Sequence, residues 1–100
     1  MRYRVTVDDN ALIKLEEHIE FLARISESAA LRLYDEYKES LDNLSKNPHM
    51  YPIYQNHSLN AELHCKIFYK RYRMVFETID ANVYIYDIQD CRQDTDKNLL

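Results

Sequence analysis

The hydrophobic period changes at Pro48, and that change fixes much of what this chain can fold into. Between Asp8 and Pro48 the apolar residues recur at three- and four-residue steps; beyond Pro52 they alternate. Leu12, Leu15, Ile19, Leu22 and Ile25 form one helical row, and Ala30, Leu33, Tyr34, Tyr37, Leu41 and Leu44 form a second. Asp8 or Asp9 suits the first N-cap, and Ser26 breaks the first helix and caps the next. The second helix ends at Asn47-Pro48, because proline disfavours a helical residue before it. So short a link joins the two helices as an antiparallel hairpin. Residues 2–7 alternate as a strand. Residues 63–69, 72–79 and 83–89 are three more, with turns at Lys70-Arg71 and over Asp80 to Asn82, which makes an antiparallel meander. The fold expected is α+β: an N-terminal strand, a helical hairpin, then a three-stranded meander, in two layers with one sheet face partly open.

The chain has 100 residues, room for one domain spanning 1–100 and one core. It contains no glycine. Glycine-rich phosphate cradles are therefore excluded, and left-handed turn positions should fall to Asn47, Asn56, Asn60 or Asn82. No window approaches the length of a membrane span and the start lacks a signal-peptide run, so the expected location is cytoplasmic. Cys65 and Cys91 would then be thiols. Residues 47–61 read as a loop, held extended by Pro48 and Pro52, with Tyr51, Ile53 and Tyr54 strapped across the edge of the core. Nine tyrosines against three phenylalanines suit a broad, half-wet interface.

Charge concentrates in one place. The net charge is −4, yet Lys66, Lys70, Arg71 and Arg73 fall within eight positions with no acid among them. Phe68, Tyr69 and Tyr72 are interleaved. Basic residues alternating with rings suggest a nucleic-acid surface, phosphates to the cations and bases to the rings. The bland alternative is a solvated turn. Alternation puts Tyr72, Met74, Phe76 and Thr78 on the buried side of their strand, and sends Arg73 and Glu77 to the open face. His64, Cys65 and Cys91 do not have a zinc spacing, His18 reads as a boundary residue beside the first apolar row, and the loop residues His49 and His57 have no partner in sequence. No metal and no other cofactor is called for.

Across some ninety residues the order of elements resembles the RelE/ParE superfamily, toxins of type II toxin–antitoxin pairs. The residues that carry the resemblance are the opening strand with Ala11 just inside the first helix, Leu44 to Pro48 closing the second, and the Tyr51–Tyr54 loop. Tyr72-Arg73-Met74-Val75-Phe76 looks like the family's Tyr-Arg-hydrophobic-Val-aromatic strand, and Cys91-Arg92 follows the last strand. The resemblance implies a growth-arresting toxin silenced by a cognate antitoxin that wraps it with a helix and a strand. Its target would be either ribosome-bound mRNA, cut as by RelE and YoeB, or DNA gyrase, poisoned as by ParE. A non-toxic interaction module of the same fold is the alternative.

For mRNA cleavage, the ribose 2′-hydroxyl attacks and the protein must hold the phosphorane. Arg73 matches the family arginine and suits that task; Arg92 would join it at the phosphate, and Glu77 would be a base if a neighbour tunes it. Lys66, Lys70, Arg71 and Tyr72 would bind the nucleic acid. Where the YoeB-like branch carries a histidine and a tyrosine for proton transfer, this chain has Asp94 and Thr95, both poor acids near neutrality. His64, where the family often has an arginine, is the candidate replacement. Gyrase binding needs no such pair.

Overall fold

The computed structural model describes residues 2–54 and 62–92. It contains β1 (Arg4–Val7), α1 (Asp9–Ile25), α2 (Glu27–Lys46), a 3-10 turn at Pro48–Met50, β2 (Ile53–Tyr54), β3 (Leu63–Phe68), β4 (Tyr72–Ile79) and β5 (Asn82–Asp90). One sheet runs in the order β1-β5-β4-β3-β2. β1 lies parallel to β5, and the other pairs are antiparallel. This is the expected α+β order with one addition. Ile53-Tyr54, read as loop, pairs with His64 and Leu63 as a fifth strand too short for alternation to reveal.

The helix boundaries follow their caps. The Asp8 carboxylate accepts the Asn10 N–H. Ser26 ends α1 by donating its own N–H to the Leu22 carbonyl, and starts α2 by accepting the Ala29 N–H at its hydroxyl. Ala11, Leu15 and Leu22 of α1 and Ala30, Leu33, Tyr37 and Leu44 of α2 pack onto Phe68, Tyr72, Met74, Phe76, Val83, Ile85 and Ile88 of the sheet. Three members of the expected rows, Leu12, Ile25 and Tyr34, are exposed, and Ala11 takes the place of Leu12. At 100° per residue Ala11, Leu15 and Leu22 fall within about 40° of one another, whereas Leu12 and Ile25 lie at the two margins of the stripe.

Among the described residues, the left-handed turn positions are not at asparagines. Tyr69 (φ 52°), Lys70 (φ 56°) and Asp80 (φ 54°) occupy them, while Asn47 has φ −153° and Asn82 pairs within β5; Asn56 and Asn60 lie outside the described residues. The reason is turn length. The Phe68 carbonyl accepts the Arg71 N–H at 3.3 Å, closing a two-residue hairpin whose twist demands positive φ at both central residues whatever they are. Glu36 of α2 supports this tip by accepting the Tyr69 N–H at 3.0 Å, and the Tyr69 ring stacks on Tyr72. Farther along, Val75 pairs with Asp87 but Phe76 with Ile85, so Tyr86 is an extra residue that bulges β5.

Candidate functional site

The basic hairpin does not present its charges together. In an antiparallel pair, residues opposite one another share a face. Lys66 is opposite Met74 and Phe68 opposite Tyr72, whereas Arg73 is opposite Ile67. Met74 and Tyr72 are core residues, so Lys66 lies on the helix side of the sheet and Arg73 on the other. Lys66 Nζ lies 5.3 Å from the centre of the Tyr51 ring, in a groove of about 260 Å³ lined also by Glu36 and Glu39. Burial lowers its pKa, and the two glutamates push back. Tyr72 is only 1% exposed, so its ring offers solvent no stacking face. Its hydroxyl has no hydrogen-bond partner among the described residues, and burial raises its pKa. The nucleic-acid surface expected from Lys66, Lys70, Arg71 and Tyr72 is therefore not a single surface. Of the four, Lys70 at the hairpin tip is the exposed one.

Arg73 stands on the open face with neighbours from three strands. Its Nε donates to Gln89 Oε1 of β5 at 2.7 Å, and its guanidinium lies 5.0 Å from the Tyr54 ring centre of β2. Gln89 Nε2 donates in turn to the Tyr54 hydroxyl at 3.3 Å and to Asp87 Oδ2 at 2.9 Å. Asp87 Oδ1 is 2.8 Å from Lys14 Nζ, which reaches over from α1. Burial alone would raise the Asp87 pKa. The hydrogen bonds from Lys14, Gln89 and the Ile88 N–H outweigh it and hold the carboxyl below its usual range. Arg73 is thus oriented, tied at Nε to Gln89 and lying beside the Tyr54 ring. Cys65 shares this face; burial pushes its thiol up, Arg73 partly offsets that, and Cys91 adds to it, so the thiol stays protonated near neutrality.

The expected catalytic partners of Arg73 are placed elsewhere. Glu77 is on the same face but four residues on, about 13 Å along the strand. It accepts the Tyr86 hydroxyl at 2.7 Å, and that hydrogen bond pushes the Tyr86 phenol up to about 12. His64 is opposite Phe76 and stacks on its ring on the helix side. Its Nδ1 lies 3.0 Å from the Tyr51 carbonyl and its Nε2 is 3.4 Å from Glu62. Alternation therefore separates His64 from Cys65 and from Arg73 alike. Arg92 is drawn to Asp90 at 3.8 Å, and Arg71 pairs with the same carboxylate at 3.3 Å. Asp90 is opposite Tyr72, on the helix side, so Arg73 and Arg92 do not converge through it. Asp94 and Thr95 lie outside the described residues.

Gln89, Tyr54 and Asp90 are the polar residues that sequence reasoning missed. Gln89 was hidden by the bulge: plain pairing outward from the Asp80-Ala81 turn sets Ile88 opposite Arg73, and the extra residue in β5 shifts Gln89 into that place. Tyr54 needed β2, which no pattern announced. Among the described residues no cluster of His, Cys, Asp and Glu could hold a metal, and no helix is long and apolar enough to cross a membrane.

A helical hairpin laid on a mostly antiparallel sheet, with a clamped arginine on the uncovered face of the strand after the basic turn, defines a domain of the RelE/ParE class. The model of the ParE toxin of type II toxin-antitoxin systems, parDE, matches residues 5–95, and the chain belongs to that family. Membership implies a cognate antitoxin as its partner. No curated relative matches the chain.

Proposed function

We propose that this toxin arrests growth by binding DNA gyrase through the open face around Arg73, without cutting RNA. One observation carries the choice of target: the groups clustered at Arg73 are suited to holding an anion, not to moving a proton. Gln89 and Tyr54 orient the guanidinium, which keeps its charge at any physiological pH. The nearby Cys65 thiol is pushed up, and His64, the candidate proton-transfer group, is on the far side of the sheet. A fixed guanidinium favours bidentate contact with a carboxylate or phosphate of a large partner. Tyr54 and the exposed Ile67 flank it with apolar surface, the mix found at the centre of protein interfaces.

The test uses the purified chain with gyrase and plasmid DNA in one reaction, and with translating ribosomes and mRNA in another. Gyrase-dependent DNA breaks or lost supercoiling, with intact mRNA, is the expected result. Arg73→Ala should weaken it by at least about tenfold, as for loss of a charge-assisted contact at an interface. Ribosome-dependent mRNA cuts that vanish in Arg73→Ala would replace this reading with the nuclease. A chain harmless to several bacterial hosts would leave only an interaction module.

A further inference from the structure

Asp90 is a buried carboxylate that the Arg73 face does not use. It ends β5 with its side chain 4% exposed. A charge at that depth is costly unless it is paired and hydrogen-bonded. Oδ2 accepts from both Nε and Nη2 of Arg71, at 3.3 Å each. Oδ1 accepts the backbone N–H of Arg92 at 3.0 Å, with Arg92 Nε a further 3.8 Å away. The tie also runs backwards, since the Arg71 carbonyl accepts the Cys91 N–H at 2.8 Å. Arg71 itself is fixed between rings, 5.2 Å from the Tyr72 centre and 5.8 Å from that of Phe21 on α1. One carboxylate therefore joins the β3–β4 turn, the first helix and the point where the chain leaves β5. Beyond it, the Arg92 side chain is 66% exposed.

We infer that Asp90 is a positioning residue: it sets the direction in which the chain leaves β5 and so aims the Arg92 guanidinium at an anionic group of the toxin's target. This rests on the growth-arrest reading but adds a second contact, separate from Arg73. The charge of Asp90 is needed as well as its shape. Asparagine would keep an acceptor for the Arg92 N–H, but it would leave two arginines side by side without a counter-charge. Arg71, which the sequence offers as a phosphate ligand, is then a structural brace whose charge is spent on Asp90.

The experiment is a double-mutant cycle read in living cells, with a second readout on the protein. Inducible chains are compared by the expression level needed to arrest growth, and their folded fraction is checked by thermal melts. Arg92→Ala should raise the required level about 10- to 100-fold, the scale of loss for a misplaced contact. Asp90→Asn should do nearly the same, and Arg71→Met should follow it. The Asp90→Asn/Arg92→Ala double variant should be no worse than either single one, because Asp90 acts through Arg92. Effects that add, or an Asp90→Asn chain as potent as the wild type beside an impaired Arg92→Ala, would overturn the inference. If instead neither Arg92→Ala nor Arg73→Ala changes growth arrest, the target-contact reading is what fails. Amide hydrogen exchange then still decides the positioning: in Asp90→Ala the Cys91 and Arg92 amides should exchange at least about tenfold faster while that of Met74 is unchanged. Unchanged protection at Arg92 would refute it.

Discussion

Replacing Lys70 with glycine should stabilise this protein. Lys70 is exposed and sits at φ 56° as the second central residue of the β3–β4 turn. A residue with a Cβ loses about 1–2 kcal/mol in the left-handed region. Glycine avoids that loss but gives back about 0.5–1 kcal/mol through its freer unfolded chain. The net gain is about 0.5–1 kcal/mol, which for a domain of this size raises Tm by about 2–8 °C. Urea unfolding followed by circular dichroism measures it, with an unchanged slope as the sign that only the native turn was altered. Lys70→Ala is the control. It removes the same charge but keeps the Cβ, so it should stay within about 0.5 kcal/mol of the wild type. If glycine and alanine behave alike, or if glycine destabilises, the turn does not carry this strain. Tyr69 (φ 52°) is a poorer probe, because its ring also packs on Tyr72.

Tyr72→Phe should be neutral or stabilising by up to about 1 kcal/mol, since it removes a buried hydroxyl with no partner among the described residues. A loss above about 2 kcal/mol in the same urea assay would mean the hydroxyl is bonded in solution. Lys14→Met should raise the Asp87 pKa, because burial would then face fewer opposing hydrogen bonds; carboxyl NMR titration reads this, and an unmoved midpoint refutes it. The sign for stability follows. A carboxyl depressed in the folded state stabilises above its unfolded value and loses that contribution as pH falls through the folded one. The stability gap between wild type and Lys14→Met should therefore shrink below about pH 4.

Element order was readable from the sequence because helices of 17 and 20 residues and strands of 8 and 9 repeat their period many times. Ser26 was readable because one residue had to end α1 and begin α2. β2 was not, since two residues cannot display an alternation, and its existence is decided by the partner strand. Asn47 and Asn82 were the wrong place to look for left-handed backbone. Residue preference is worth less than the closure of a two-residue hairpin, and Glu36 supplies from α2 a bond that no local pattern foretells. At the site, Arg73 was legible as the outward residue of a strand with a buried face. Its holders were not, because Tyr54 and Gln89 are 19 and 16 residues away in sequence and meet it only through register.

The basic stretch that dominates the sequence shows why local charge is a poor guide to a binding surface in a β protein. Successive residues on a strand face opposite ways, so basic residues one apart are delivered to opposite sides of the sheet. Here alternation sends Lys66 to the α2 groove and Arg73 to the open face. The turn leaves Lys70 at the tip, and Asp90 claims Arg71. What is left to reach a target is then the clamped Arg73 with its apolar flank and, apart from it, the exposed Arg92, a surface with modest long-range attraction for a polyanion but a defined geometry at short range. Such a surface discriminates by fit and by the partners each charge already has, which is what the proposed protein target, with a matching anionic group, would require and the repeating phosphates of RNA would not. Raising the salt concentration separates the two. Binding through one or two charge contacts should weaken only a few-fold between about 50 and 200 mM salt, whereas 6–10 phosphate contacts would lose about 10³–10⁵-fold. A salt dependence of the second size would show that the dispersed cations act together after all.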